Sequence, residues 1–176
     1  MDQHEAEAPA KRQAALTFRL ARKDDLPELV RMLADDPLGT GREAASETLA
    51  QAYLEAFAAI EADANNAVVV AVLGDEVAGM LQVTFIPSLT YQGRWRAQIE
   101  GVRVASSARS QGIGAEMIGW AIEQARTRGC VMVQLTTDTR RDAALRFYER
   151  LGFVASHHGM KLHLTERIDA REGTGS

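Results

Sequence analysis

A glycine-bearing loop between an apolar segment and an amphipathic segment constrains the fold of this chain more than any other feature. The loop is Arg109-Ser110-Gln111-Gly112-Ile113-Gly114; it follows the apolar run 99–104 and precedes the amphipathic segment Ala115 to Arg128. This order predicts a strand, a short loop and a helix whose first turn contains two glycines. Such a helix start carries unpaired N–H groups and a positive dipole end, and glycines keep it accessible. With the charge of Arg109 added, we predict that the loop holds a diphosphate.

Two common nucleotide-binding motifs do not fit this loop. A P-loop ends in Gly-Lys-Ser/Thr, whereas Ala115 and Glu116 follow Gly114 here. A dinucleotide-binding fingerprint needs a third glycine, and Met117 occupies that position. The ligand that carries the diphosphate must therefore be identified from other parts of the chain.

The hydrophobic pattern predicts one mixed sheet with helices around it. Apolar residues recur at helical spacing in Leu26, Leu29, Val30 and Leu33, and later in Leu49, Tyr53, Phe57 and Ile60. Strands are predicted at 17–21, 67–73, 77–85, 98–104, 131–135 and 159–164, with one more short strand from Phe153, and later helices at 115–128 and 142–151. Hairpins come first and a strand-helix-strand unit follows. We therefore expect an α/β (α+β) fold with a mostly antiparallel sheet of about six to seven strands and about four helices.

Composition is that of a single globular domain. The 176 residues are 25% charged and 46% hydrophobic, with a net charge of −4, so nothing favours binding to nucleic acid or to an anionic membrane. The single cysteine, Cys130, excludes an internal disulfide and fits a reducing, cytoplasmic location. No apolar run is long enough to span a bilayer. We predict flexible tails at 1–15 and 166–176 around one domain at 16–165.

Three segments of the chain resemble the GNAT superfamily of N-acetyltransferases. The loop at 109–114 matches that family's Arg/Gln-x-x-Gly-x-Gly/Ala diphosphate motif, and the segment 144–153, Ala-Leu-Arg-Phe-Tyr-Glu-Arg-Leu-Gly-Phe, is similar to its Ala-x-x-hydrophobic-Tyr-x-x-x-Gly-Phe motif. The opening segment 18–27 also resembles the family's first strand and helix. The likeness extends from about Thr17 to Leu164. It implies the GNAT fold and an acetyl-CoA-dependent acetyltransferase.

The resemblance also implies which residues hold the cosubstrate. The strand residues Val102, Arg103 and Val104 would hold the pantetheine arm, and the loop would wrap the diphosphate through Arg109, Ser110, Gln111, Gly112, Ile113, Gly114 and Ala115. The pantetheine assignment also has a physical basis: if strand 98–104 separates from strand 131–135, its backbone groups become free to bond an extended ligand.

Two positions depart from the family pattern. Many members carry Asn where this chain has Arg141, so we predict that Arg141, or Arg140, reaches a cofactor phosphate or else is a solvated residue at a helix start. Gln111 occupies a position where Arg or Lys is frequent, which lowers the positive charge of the loop without affecting its backbone.

Glu100 and Tyr148 are the candidate catalytic residues. Strand alternation places Gln98, Glu100, Val102 and Val104 on one face, so Glu100 is either a partly buried general base or the ion-pair partner of Arg94, Arg96 or Arg103. The resemblance implies that Tyr148 protonates the leaving thiolate; the alternative is an ordinary core aromatic residue. A phenol with a pKa of about 10 is a suitable donor to a thiolate whose conjugate acid has a pKa of about 8.5.

These observations predict acetyl transfer from acetyl-CoA to a primary amine by direct attack in a ternary complex. The alternatives are a non-catalytic acyl-CoA-binding or regulatory module on the same fold, and a nucleotide enzyme that ATP rather than CoA would protect against unfolding. The acceptor is either a small molecule, as in aminoalkylphosphonate acetyltransferases, or a peptide. Homodimers are common in the family. The spacing of His157, His158 and His163 matches no zinc motif, so we expect no metal.

Overall fold

A five-stranded sheet organises the residues that the computed structural model describes, which are 15–35, 50–162 and 164. The elements are β1 (Leu16–Leu20), α1 (Leu26–Ala34), α2 (Gln51–Ala62), β2 (Asn66–Leu73), β3 (Glu76–Ile86), α3 (Thr90–Gly93), β4 (Trp95–Val104), α4 (Ile113–Thr127), β5 (Cys130–Leu135) and α5 (Asp142–Arg150). The strands lie in the order β1-β2-β3-β4-β5, and all neighbours are antiparallel except β4 and β5, which are parallel. The predicted class, a mixed and mostly antiparallel sheet with flanking helices, is confirmed.

Each face of the sheet packs against its own helices. On one face α4 covers the buried side chains Val69, Leu81, Val83, Phe85, Ala97 and Ile99. On the other, α1 and α2 pack on Val68, Val70 and Met80. Since β2 is buried on both sides, its sequence is a continuous apolar run rather than an alternating one.

Helix α4 anchors the glycine loop to the sheet. Its buried face consists of Ile113, Met117, Ile118, Ala121 and Ala125, and each large apolar side chain buried in this way contributes about 1.5–3 kcal/mol. At the other end, the Arg128 guanidinium lies 4.2 Å from the centre of the Phe85 ring. The helix, and with it the loop at its start, is therefore fixed on the sheet.

An ion pair joins β1 to the start of α1. The Arg19 guanidinium donates to both carboxylate oxygens of Asp25, with Nη1–Oδ2 and Nη2–Oδ1 distances of 2.6 and 2.9 Å. The Arg22 N–H also donates to this carboxylate, at 2.7 Å. The hydrogen bond from Arg19 lowers the pKa of Asp25, and burial opposes that effect. Asp25 therefore closes the turn that leads from the first strand into α1.

The predicted sheet of six to seven strands is larger than the one observed. Residues 159–162 and the segment after Phe153 are irregular, and Met160 and Leu162 are almost fully exposed. Alternating apolar residues form a strand only where a partner ladder is available, and in the described part of the chain β5 pairs with β4 alone. The predictions for Leu49, for His163 and for the two tails, except Ala15, concern residues outside the described ranges.

A glycine bulge interrupts the pairing of β3 with β4. Met80 pairs with Arg103 and Gln82 with Glu100, so the single residue Leu81 faces both Gly101 and Val102. Gly101 has a φ of 60°, a value that glycine adopts without steric cost. Because of the extra residue, the side chains of β4 beyond Gly101 point to the opposite faces of the sheet from those that simple alternation predicts. The bulge also bends the strand.

Candidate functional site

The loop before α4 has the backbone conformation of an anion site at a helix start. Ser110 and Gly112 have φ values of 64° and 78°. The Gly112 carbonyl accepts hydrogen bonds from the N–H groups of Ala115 and Glu116, at 3.0 and 3.2 Å. N–H groups of a helix's first turn have no acceptor inside the helix and are available to ligand oxygens. No heavy atom lies within 4 Å of a Cβ built on Gly112, so its backbone angle, and not crowding, requires glycine.

A groove of about 480 Å³ runs along this loop. The end of β4 forms one wall and α5 the other. The lining residues are Val102, Arg103, Val104, Ala108, Arg109, Ser110, Gly112, Ile113, Gly114, Ala115, Phe147, Arg150 and Leu151. The structure thus brings together all of the predicted cofactor residues except Gln111 and Arg141.

The α5 wall was missed by the sequence analysis. Phe147, Arg150 and Leu151 line the groove, and their i, i+3, i+4 spacing puts them on one face of the helix. The family motif drew attention to Tyr148, which is on a neighbouring face. Helical spacing counted from Phe147 is the signal that would have found Arg150.

Strand β4 separates from β5 where it reaches the groove. Their parallel pairing runs from Trp95 to Ile99, which is opposite Leu135, and the residues of β4 beyond Ile99 have no partner in β5. Val102–Val104 therefore have no strand partner on this side, and they line the groove. The Val102 carbonyl accepts a hydrogen bond from Arg103 Nη1 at 2.9 Å, and the Val104 carbonyl accepts one from Arg109 Nε. A segment with no strand partner on one side is the geometry that backbone bonding to an extended ligand requires.

Arg109 lies in the loop, but its side chain is held by α1. Its Nη2 lies 2.6 Å from Asp35 Oδ2 and 3.5 Å from the Asp35 carbonyl oxygen, and its Nε donates to the Val104 carbonyl at 3.3 Å. Both charged side chains are about half exposed, at 51% and 53%. An ion pair this accessible contributes about 0–1 kcal/mol. Its effect is to connect the end of α1 to the loop and to offset much of the Arg109 charge.

Tyr148 packs in a cluster of aromatic rings beside the groove. Its ring centre lies 5.1 Å from that of Phe147 and 5.9 Å from that of Phe153, both in edge-to-face contacts. Burial raises the pKa of Tyr148 above its ordinary value, and the positive charges of Arg103 and Arg141 oppose this shift. The phenol is therefore a protonated donor at neutral pH.

Arg141 and its neighbour lie outside the groove. Arg141 begins α5, and its charge acts on Tyr148. Arg140 is held by Asp138, with an Nη2–Oδ2 distance of 2.7 Å and an Nε–Oδ1 distance of 2.9 Å. Arg141 therefore does not line the groove, and its charge acts on the candidate acid Tyr148.

Glu100 lies on the opposite face of β4 from Val102 and Val104, contrary to the predicted alternation. The bulge at Gly101 explains the difference, because it advances the strand by one residue without a partner. Val102 and Val104 consequently pack on the α4 side with Ile99. Glu100 is also exposed, so the partial burial predicted for it is absent. No ion pair joins it to Arg94, Arg96 or Arg103 within the described residues.

A row of polar side chains crosses the sheet beside Glu100. Cross-strand pairing aligns Asn66, Thr84, Gln98 and Gln134 on four consecutive strands. Hydrogen bonds link them in two pairs, from Thr84 Oγ1 to Asn66 Oδ1 at 3.2 Å and from Gln134 Nε2 to Gln98 Oε1 at 2.7 Å. All four are half-buried. We call this set, Asn66, Thr84, Gln98 and Gln134, the polar row.

Those remaining candidate residues that the structure describes show no nucleophile or metal geometry. Cys130 packs against the core, and burial raises the pKa of its thiol. His157 Nδ1 lies 2.8 Å from Ser156 Oγ. The described residues contain no group of three His, Cys, Asp or Glu side chains placed to hold a metal ion. None of the described helices combines the length and the apolarity that crossing a bilayer demands.

Comparison with known proteins agrees with this geometry. Residues 26–153 match the acetyltransferase (GNAT) family. A crystal structure of a transcriptional regulator from Bacillus halodurans is 56% identical, with a TM-score of 0.82 over 85% of this chain and 99% of that protein.

Two relatives are similar in sequence over shorter stretches. An aminoalkylphosphonate N-acetyltransferase from Salmonella typhimurium is 35% identical over 107 residues, 61% of this chain and 69% of that protein. A glucosamine 6-phosphate N-acetyltransferase from Trypanosoma brucei brucei is 35% identical over 88 residues, 50% of this chain and 58% of that protein.

Proposed function

This chain belongs to the GNAT family of acetyltransferases, and we propose that it transfers the acetyl group of acetyl-CoA to the primary amine of a small polar acceptor. The observation that carries the proposal is the continuity of the groove. One surface joins the helix start at Gly112, the segment Val102–Val104 of β4 that has no partner in β5, and the α5 wall next to Tyr148. Diphosphate, pantetheine and thioester follow one another in the same order in acetyl-CoA.

Binding of acetyl-CoA would use backbone groups for the most part. The first-turn N–H groups of α4 and the dipole of this helix would hold the diphosphate, since hydrogen bonds to a charged group contribute about 1.5–3 kcal/mol each. The pantetheine amides would bond the backbone of Val102–Val104 as an added strand does. A backbone N–H of the same segment would polarise the acetyl carbonyl.

The reaction we propose has one tetrahedral intermediate. The neutral amine attacks the acetyl carbon, the carbon–sulfur bond breaks, and the thiolate takes a proton from the Tyr148 hydroxyl. The attacking nitrogen loses a proton to water as the amide forms, and water returns a proton to the Tyr148 phenolate. The family resemblance and the protonated state of the phenol support this role. No covalent enzyme intermediate is needed, and the half-buried Cys130 thiol, whose pKa is raised, is poorly suited to form one.

Glu100 would receive the proton that the amine loses. An alkylamine has a pKa of about 10.4, so at pH 7 only about one molecule in 10³ is the neutral nucleophile, which costs about 4–5 kcal/mol. Because Glu100 is exposed, we infer that it acts through water and also attracts the incoming ammonium group. Its position on the face of the sheet away from α4 implies that the acceptor approaches from that side.

The polar row supports a small polar acceptor. It lies on the same face as Glu100 and offers amide and hydroxyl groups at the edge where β4 and β5 separate. The relatives named above act on an aminoalkylphosphonate and on glucosamine 6-phosphate. Both are small amines that carry an anionic group, and we propose an acceptor of this size and polarity. The single cysteine also fits a cytoplasmic enzyme.

A second candidate function is a non-catalytic acyl-CoA-binding regulator. The observation in its favour is the Bacillus halodurans protein, which is described as a transcriptional regulator. Release of free thiol from acetyl-CoA distinguishes the two, with an aminoalkylphosphonate, glucosamine 6-phosphate and a simple alkylamine as acceptors. The enzyme releases thiol with at least one polar amine and loses this activity in Tyr148→Phe. A regulator binds CoA, measured by calorimetry, and releases no thiol with any of them.

A further inference from the structure

We propose that Arg150 is a phosphate-binding residue of the groove and supplies the positive charge that the loop motif assigns to Arg109. This inference depends on the proposed use of acetyl-CoA and concerns how its phosphates are held. It rests on the different environments of Arg109 and Arg150, two of the three arginines that line the groove. The third, Arg103, donates to the Val102 carbonyl at 2.9 Å.

Arg150 is an uncompensated charge at the groove. It is exposed at the end of α5, and its side chain forms no ion pair or hydrogen bond with any other described residue. Its neighbours on the same helix face, Phe147 and Leu151, are apolar groove residues. A guanidinium placed beside apolar lining and a helix start is well suited to pair with a phosphate.

Arg109 is already engaged. Its guanidinium contacts the Asp35 carboxylate at 2.6 Å, and its Nε donates to the Val104 carbonyl at 3.3 Å. A phosphate that bound this side chain would have to displace Asp35 or share the guanidinium with it. Arg150 needs no such exchange, so it can pair with an incoming phosphate directly. We therefore assign Arg109 to positioning the loop and Arg150 to binding phosphate.

The test compares three variants of the full chain by calorimetry with CoA: Arg150→Gln, Arg109→Gln and Arg146→Gln. Arg146 is the matched control, because it is an exposed arginine on the same helix that does not line the groove. We expect Arg150→Gln to weaken CoA binding about tenfold, as loss of one charge-assisted hydrogen bond does. Arg109→Gln should weaken it less, and Arg146→Gln should leave it unchanged. Arg150→Lys should restore part of the affinity.

Dephospho-CoA, which lacks the 3′-phosphate, identifies the phosphate involved. If Arg150 binds the 3′-phosphate, Arg150→Gln and the wild type bind dephospho-CoA equally; if it binds the diphosphate, the variant is weaker with both ligands. Wild-type affinity of Arg150→Gln for CoA would overturn this assignment and leave the proposed function intact. An equal loss of CoA affinity in Arg146→Gln would also overturn the assignment of Arg150 and leave the proposed function intact. A wild-type protein that bound no CoA would overturn the proposed function itself.

Discussion

The side-chain amide of Gln134 donates a 2.7 Å hydrogen bond to Gln98 Oε1, at the last pair but one before β4 and β5 separate. The bond joins the two strands on the face that also carries Glu100. It orients both amides close to the point where β4 and β5 separate, and a polar acceptor that enters beside Glu100 would contact them.

Removing either amide should impair acceptor binding selectively. We expect Gln98→Leu and Gln134→Leu to raise KM for polar amines about two- to tenfold, because one hydrogen bond contributes about 0.5–1.5 kcal/mol. KM for acetyl-CoA should not change. Steady-state kinetics with both substrates varied provides the measurement, and Gln124→Leu on α4 serves as the control. A parallel rise in KM for acetyl-CoA would mean that the pair supports the sheet and does not bind the acceptor.

The two loop glycines should respond differently to alanine. Gly112 has a φ of 78°, so Gly112→Ala strains the loop by about 1–2 kcal/mol and should weaken CoA binding about tenfold or more. A Cβ on Gly114 would lie 3.5 Å from Phe147 and 3.7 Å from Val104, in ordinary contact, so Gly114→Ala should bind CoA almost as the wild type does. Calorimetric titration of the two variants with CoA is the measurement that compares them. Equal losses in both would show that free space above the helix start matters more than its backbone angles.

Local patterns in the sequence predicted most of the elements correctly. The apolar spacing of Leu26, Leu29 and Val30 identifies α1, and these side chains are buried in the structure. The loop at Gly112 begins a helix, as its glycines and the following amphipathic pattern predict. Such features depend on residues a few positions apart, which is the range over which propensity and periodicity act.

Features that depend on distant contacts were missed or mispredicted. The presence of Gly101 did not predict that the side chains of β4 change faces at this point. A glycine in a strand produces a bulge only if the partner strand permits one. The contact of Arg109 with Asp35 joins residues 74 positions apart, and no local pattern encodes it. The expected strand at 159–164 has the right alternation, yet it lacks a partner among the residues described. Each of these features depends on residues that are distant in the sequence and close in the folded structure.

The Arg19–Asp25 pair should make stability depend on acid pH. The pKa of Asp25 is lowered in the folded state, so its contribution is present above about pH 4 and is lost as the pH falls through the folded-state value. We expect Asp25→Asn to cost about 1–3 kcal/mol at pH 7 and to flatten the decline of the melting temperature below about pH 4. Thermal unfolding followed by circular dichroism is the measurement. Asp24→Asn, a change at the exposed neighbouring carboxylate, should have little effect at any pH.

Replacing the hydroxyl of Tyr148 should slow the chemical step. Tyr148→Phe keeps the ring contacts with Phe147 and Phe153, so KM for acetyl-CoA should stay near the wild-type value while kcat falls about 10²-fold or more. Because burial raises its pKa, the phenol keeps its proton below about pH 10. The ratio of the wild-type kcat to the Tyr148→Phe kcat should therefore be constant from about pH 6 to 9. An unchanged kcat would assign Tyr148 to the core.

The raised pKa of Tyr148 also affects stability. The folded protein holds this proton more tightly than the unfolded chain, so the contribution is present below about pH 10 and is lost as the pH rises through the folded-state value. Alkaline unfolding of Tyr148→Phe should therefore be less steep than that of the wild type. Equal steepness in urea titrations at several alkaline pH values would contradict burial of the hydroxyl.

Glu100 should matter most where the amine is protonated. At pH 7 the acceptor must lose a proton before it attacks, and we expect Glu100→Gln to lower kcat/KM for the amine about 10²-fold. As the pH rises toward about 9.5 the neutral amine becomes abundant by itself, so the defect should shrink steadily. Tyr148→Phe should show no such recovery, because its role is on the leaving group. The control Glu76→Gln, at an exposed carboxylate near the start of β3, should follow the wild-type profile. A defect of Glu100→Gln that stays constant with pH would instead indicate that the carboxylate attracts or orients the acceptor and does not accept its proton.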